Sequence, residues 1–305
     1  MIRIGYFADG PWSHKAIEKI VASDFLEVAF IVPRFESQDP ILKQWAEKLS
    51  VPYIPCQNVN EKSFIDSISK HNADILVSMS FNQILKTDIL KLSPLGFINC
   101  HAGSLPFYRG RNPLNWALIN GESSFGITVH FIDEGIDTGD IIAQKKYPIT
   151  DSDNYASLLE MAINECAEVL YMALNNIHKG KCEPIAQSSV HPVGTYFGIR
   201  TNGDEILNFS WSARRIFNFI RAISCPGPGA RFFISEKEYV VESASLIEGA
   251  TNYIATEGEV VGKSEEGIVV KAGDSTIMFS SIREVDCSEV YIPKFRIGTR
   301  LNRSS

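Results

Sequence analysis

Over its first hundred positions the chain sets short apolar runs between mixed segments. Residues 2–8, 26–33, 51–56, 74–80 and 96–103 read as strands, and the stretches between them read as helices. Near-continuous apolar strands alternating with helices predict an α/β fold: a Rossmann-like, doubly wound, mostly parallel sheet with helices on both faces. Residues 154–178 then read as one long helix, with Leu159, Ala162, Ile163, Cys166, Val169, Leu170, Ala173, Leu174 and Ile177 at helical spacing. That stripe is core or subunit interface, and it is consistent with a homodimer.

A proline-containing connector spans residues 179 to about 199, and residues 211–224 read as a short helix. The remainder alternates in short strands at 231–234, 239–244, 259–263, 268–271 and 276–280, with glycines between them, which fits a small antiparallel barrel-like subdomain. Two domains are therefore expected, residues 1–200 and 201–305. No internal repeat or low-complexity tract interrupts them.

Chemistry concentrates between residues 99 and 140, which hold an amide, an imidazole and a carboxylate in the order Asn99, His101, Asp137. Side chains two apart on a strand share a face, so Asn99 and His101 converge where a buried strand ends. Asp137 sits in Gly135-Ile136-Asp137-Thr138-Gly139, where glycines permit a turn back toward the histidine. Together the three groups could stabilise an oxyanion and handle a proton. Taken singly, an Asn-x-His at a strand end is more often a structural hydrogen-bonded pair, and an aspartate between glycines a turn residue.

The whole segment changes those odds. Asn99-x-His101, Leu105-Pro106-x-Tyr108-Arg109-Gly110, Pro113-Leu114-Asn115-Trp116-Ala117, Asn120-Gly121-Glu122, Gly126-Ile127-Thr128-Val129-His130 and Asp137-Thr138-Gly139 resemble the catalytic region of the 10-formyltetrahydrofolate-dependent formyltransferases. The resemblance implies Asn99, His101 and Asp137 as catalytic residues and 10-formyltetrahydrofolate as co-substrate. It implies a folate contact by the loop after the fourth strand (Ser80, Phe81, Gln83, Ile84, Leu85), largely through main-chain groups, joined by Asp133 and Ile136. One departure is visible: glycine stands at position 103, where many members carry serine.

The blocks Tyr196-Phe197-Gly198-Ile199-Arg200-Thr201 and Pro226-Gly227-Pro228-Gly229-Ala230 resemble the sugar-nucleotide N-formyltransferases within that family. This implies a nucleotide-linked amino-deoxy sugar as acceptor, dTDP-linked, serving surface polysaccharide such as lipopolysaccharide O-antigen. The substrate contacts implied are Trp12, His14, Lys15, Tyr108, Arg109, Tyr196, Arg200 and Arg221. From the residues alone, loop 9–15 is equally a helix-leading loop capped by Ser13. Arg200 and Arg221 either grip a diphosphate or anchor a helix. The alternatives to a sugar enzyme are a methionyl-tRNA formyltransferase and a noncatalytic folate or sugar-nucleotide binding module.

The 305 residues are 45% hydrophobic and carry a net charge of -7, which argues against a polyanion such as nucleic acid as the main partner. The stretch after residue 204 has about as many acidic as basic residues, unlike a tRNA-binding appendage. Six cysteines fall without a Cys-x-x-Cys pair, so neither a zinc site nor a disulfide framework is expected, and activity should survive a chelator. Loss of activity on chelation, restored by a divalent ion, would refute that. Gly-x-Gly-x-x-Gly is missing from the first βα loop, so no dinucleotide cofactor is expected. The start Met1-Ile2-Arg3 reads as a strand rather than a signal peptide, and no apolar run reaches the roughly 18 residues of a membrane span. A cytoplasmic protein with no membrane partner is expected.

Overall fold

In the computed structural model, which describes residues 1–302, strand β1 (Ile2–Ala8) is buried at every position but Arg3, as a strand covered on both faces must be. The chain continues through α1 (Gly10–Val21), β2 (Leu26–Pro33), α2 (Pro40–Leu49), α3 (Lys62–Ser69), β3 (Ile75–Met79), α4 (Thr87–Leu90) and β4 (Phe97–His101). After β5 (Arg109–Gly110) and α5 (Pro113–Ile119) come β6 (Ser124–Phe131) and β7 (Ile141–Pro148). The long helix α6 (Tyr155–His178) leads to α7 (Gln187–Val190) and β8 (Tyr196–Phe197). Six strands form one sheet in the order β2-β1-β3-β4-β6-β7. The pairs β1·β2, β1·β3 and β3·β4 are parallel, whereas β4·β6 is antiparallel. The sheet is therefore mostly parallel, as the apolar runs predict.

Alternation along the strands sorts the two faces. Phe7 packs edge-on against Phe30 of β2 and Phe64 of α3 and meets Phe97 of β4, with centroids 6.1, 6.5 and 5.0 Å away. Its neighbour Tyr6 points the other way and donates its hydroxyl to the Ser13 carbonyl of α1, 2.9 Å away. In β4 the Phe97 face continues through Asn99 and His101, while the Cys100 thiol turns to the Cys166 carbonyl of α6 at 3.6 Å. Helices thus cover both faces, and Cys100 serves packing.

Two local expectations need correction. Residues 51–56 form no strand and contribute one bridge, Ile31 to Tyr53, because Pro52 and Pro55 lack the N–H groups that a ladder requires. Helix α1 starts at Gly10, earlier than a Ser13 cap would place it. The Asp39 carboxylate accepts the Gly10 N–H at 2.8 Å and caps α2 through Ile41 and Leu42, while the Ser13 hydroxyl donates to the Gly10 carbonyl.

The chain divides into two units, the first made of Met1–Pro113, Phe125–Tyr147 and Glu160–Phe197. The second joins Leu114–Ser124 and Pro148–Leu159 to the chain from Gly198 onward. It holds α8 (Ala213–Ile223), β9 (Ala230–Ile234), β10 (Lys237–Leu246), β11 (Val260–Ser264), β12 (Gly267–Lys271) and β13 (Thr276–Glu284). These strands form an antiparallel sheet in the order β11-β12-β13-β10-β9. Its outer strands β11 and β9 both hydrogen-bond to residues 298–302, Val260 N–H to the Thr299 carbonyl and Asn302 N–H to the Phe233 carbonyl, each at 2.8 Å, in keeping with the barrel-like subdomain expected. No described helix is long and apolar enough to cross a membrane.

Candidate active site

Strand β4 ends in Asn99 and His101, and its antiparallel neighbour β6 sets His130 directly across from Asn99. The Asn99 amide nitrogen lies 3.3 Å from His130 Nε2. His130 Nδ1 is 2.7 Å from the Phe131 carbonyl, which can only accept, so Nδ1 carries a proton; Nε2 accepts from Asn99 when the ring is neutral and turns a proton toward Asp137 when the ring is charged. His101 follows the same logic: its Nε2–H donates to the Tyr108 carbonyl at 2.7 Å. The second nitrogen of each ring faces one carboxylate, with His101 Nδ1 3.6 Å from Asp137 Oδ2 and His130 Nε2 3.6 Å from Asp137 Oδ1. His130 is the residue that sequence reasoning left out of the site. The signal for it was its place at the end of an apolar strand, legible once β6 is paired with β4.

Gly103 has a specific job here. A side chain at position 103 would put its Cβ 2.6 Å from His101 Nε2 and 2.8 Å from the Tyr108 carbonyl, inside the bond that orients the imidazole. The bare backbone at this position lets ring and carbonyl meet.

Asp137 itself takes the left-handed backbone conformation, with φ at 53°, which had been expected of the glycines around it. Its Oδ2 accepts the Gly110 N–H at 2.8 Å. Burial pushes its carboxyl up, but the charge of His101, then the His130 ring and the Gly110 N–H outweigh burial and hold it well below the usual carboxylate range. A carboxyl lowered in the folded state stabilises the fold above its unfolded value of about 4, and that contribution disappears as pH falls through the folded value. The stability difference between the wild type and Asp137→Asn should therefore be largest above about pH 4 and shrink in stronger acid, as followed by denaturant titration at several pH values. A pH-independent difference would contradict the assignment.

The residues of the expected folate loop divide by what their side chains touch. Leu85 is buried, and Phe81 packs on Phe7 with centroids 5.5 Å apart, so both serve the core. Gln83 spends its amide on Val59 N and the Cys56 carbonyl. Ser80, at φ 61°, accepts from Arg34 at both its carbonyl and its hydroxyl. Asp133 accepts from Gly135 N and the Thr138 hydroxyl and thereby shapes the turn. The side chains of Leu85 and Gln83 thus serve internal contacts, which leaves their main-chain groups for the folate contact expected of this loop. Ile84 and Ile136 stand out as large apolar side chains 77% and 61% exposed, on two loops tied together by a hydrogen bond from Thr87 to Glu134. A flat aromatic ring system would fit such a flank.

The expected acceptor contacts are likewise mixed. Trp12 is half-buried, Lys15 is exposed beside Glu18, and His14 Nε2 lies 2.7 Å from Asp39. Tyr108 stacks on Phe197 with centroids 5.1 Å apart. Arg109 is buried and committed within the protein, donating to Gln187, the Val193 carbonyl and the Tyr196 hydroxyl. In the second unit, Arg200 lies over the Phe219 ring and donates to the Asp204 carbonyl. Arg221 donates to the carbonyls of Thr150 and Asp153 and to Asn218, which makes it an anchor of α8. Arg221→Ala should cost about 1–3 kcal/mol of stability, because it removes three hydrogen bonds made by a buried side chain; a melting temperature unchanged by the substitution would contradict that role. Among the described residues, no group of three or more His, Cys, Asp or Glu is arranged to hold a metal ion.

Comparison with known proteins gives matches over most of the chain. The family described as formyl transferase matches residues 26–174, and the formyl transferase C-terminal domain matches residues 200–300. A methionyl-tRNA formyltransferase of Syntrophus aciditrophicus (strain SB) is 30% identical over 265 residues, covering 86% of this chain and 83% of that protein. Other methionyl-tRNA formyltransferases match at similar identity. The bifunctional polymyxin resistance protein ArnA of Wigglesworthia glossinidia brevipalpis is 35% identical over 205 residues, 67% of this chain and 31% of that protein. Among solved structures, WlaRD, a sugar 3N-formyl transferase, aligns with a TM-score of 0.68 at 19% identity, over 94% of this chain and 99% of that one. At that identity the likeness is one of fold.

Proposed function

The chain belongs to the formyl transferase family, and from that premise we propose that it moves the formyl group of 10-formyltetrahydrofolate onto a primary amine, with Asn99, His101 and Asp137 as the reacting groups. The observation that supports this most is the convergence of two imidazoles on one carboxylate held in its charged form, with the Asn99 amide beside one of those rings.

The neutral amine attacks the formyl carbon, forming the new C–N bond while the formyl oxygen gains negative charge. An amide nitrogen carries two N–H groups, so Asn99 keeps one for that oxygen beyond its bond to His130. His101 has Nε2 committed to Tyr108, so it acts through Nδ1: the attacking nitrogen's proton comes to rest there, and Asp137 balances the imidazolium charge. Once His101 is charged, the carboxyl beside it is held in its charged form and serves as the counter-charge. The bond from the formyl carbon to the folate nitrogen then breaks, and that nitrogen takes up the proton held at His101, which returns the imidazole to its neutral form. Ile84 and Ile136 flank the folate.

For the acceptor, two readings have specific support. The relatives found at 30–33% identity along most of their length favour methionyl-tRNA. The net charge of -7 and the charge-balanced C-terminal stretch favour a nucleotide-linked amino sugar. Purified protein with 10-formyltetrahydrofolate should formylate charged initiator tRNA or at least one of a panel of dTDP-, UDP- and GDP-linked amino sugars, read by mass. Binding that weakens steeply with added salt marks the tRNA reading. Failure to formylate any of these acceptors would count against formyl transfer as proposed.

A further inference from the structure

Asp137 occupies a backbone conformation that non-glycine residues rarely adopt, and its own side chain accounts for only part of what keeps it there. The rest comes from Gln187, in the connector between the long helix and the second unit. Gln187 is 2% exposed, and its amide nitrogen donates to the Asp137 carbonyl at 2.8 Å and to the Gly139 carbonyl at 2.7 Å. An amide nitrogen has two N–H groups, and here both close on the turn that carries Asp137.

The orientation of that amide is fixed from behind. Gln187 Oε1 accepts from Arg109 Nε at 3.0 Å and from its terminal NH2 nitrogen at 2.8 Å, a fork that a flipped amide could not satisfy. The remaining terminal nitrogen of Arg109 is held by the Val193 carbonyl and the Tyr196 hydroxyl, and the guanidinium lies 5.0 Å from the Tyr196 ring centroid. Arg109 also precedes Gly110, whose N–H holds the Asp137 carboxylate. The backbone and the carboxylate of one residue are thus positioned by adjoining parts of a single network, with Arg109 and Gln187 buried at its centre.

We propose that Gln187 is a positioning residue for Asp137, clamping the 137–139 turn so that the carboxylate faces His101 and His130, with Arg109 fixing the clamp. Its consequence for turnover rests on the formyl-transfer reading; its consequence for where the carboxylate sits does not.

Gln187→Glu separates the two halves of the network. The carboxylate keeps the size of the side chain and a partner for Arg109, but it cannot donate to the Asp137 and Gly139 carbonyls. Gln187→Met removes both halves, and Arg109→Lys keeps Gln187 while loosening the fork, which supplies a second route if a Gln187 variant folds poorly. With carbon-13-labelled aspartate, the Asp137 carboxyl should titrate closer to the ordinary carboxylate value in Gln187→Glu than in the wild type. In the formyl-transfer assay kcat should fall about 10-fold or more with KM for the folate nearly unchanged. Gln187→Asn, which retains the donor on a shorter arm, should recover part of the loss. A variant with a wild-type Asp137 titration and wild-type kcat would overturn the proposal. A shifted Asp137 titration in a protein that formylates no amine would uphold the clamp while counting against the formyl-transfer reading.

Discussion

Alanine at Asn99 or His101 is expected to lower turnover by about 100-fold or more, a loss far larger than its effect on the fold. Both side chains stand at the end of β4 on the face that opens beyond Phe97, so truncating either leaves the aromatic packing of Phe7 and Phe97 in place. What each substitution removes is specific to the reaction. Asn99→Ala deletes the N–H available to the developing oxyanion, and His101→Ala deletes the nitrogen where the amine's proton comes to rest. Steady-state kcat at saturating folate, with a thermal melt on the same sample, checks both. Near-normal turnover in either folded variant would remove that residue from the chemistry.

Asp137→Asn is expected to produce the second large loss, again about 100-fold or more. Asparagine tolerates the left-handed backbone better than most residues, and its side-chain oxygen can still accept the Gly110 N–H, so the turn should survive. The charge does not survive. Without it, His101 Nδ1 and His130 Nε2 face a neutral amide, and a proton on either ring is no longer balanced. The loss should therefore fall on kcat rather than on folate binding, as seen by comparing kcat with the dissociation constant measured by titration calorimetry. A folded Asp137→Asn variant with wild-type kcat would show that the carboxylate charge is not used.

The parts of this architecture legible in the sequence are those governed by local periodicity. The two-residue repeat in β4 sets Asn99 and His101 on one face and sends Cys100 to the other, and the apolar runs mark β1, β2 and β3 almost to their ends. Residues 51–56 looked equally apolar, but Pro52 and Pro55 withhold the hydrogen bonds a strand needs. His130 and Gln187 were not legible because their roles come from pairing across the sheet and from a connector folded back on a turn fifty positions away. Arg221 shows the converse: its motif left a diphosphate ligand and a helix anchor both open, and the carbonyls of Thr150 and Asp153 within its reach support the anchor.

The central claim is that the formyl carbon itself passes from folate to an amine at the Asn99, His101 and Asp137 cluster. The direct measurement is carbon-13 NMR of the wild type and of His101→Ala, each given 10-formyltetrahydrofolate labelled in the formyl carbon and the acceptor amines above. The wild type should place the label in a formamide on the acceptor, and His101→Ala should leave it on the folate. Label released as formate with no formamide formed, or formamide produced equally by both proteins, would contradict the account.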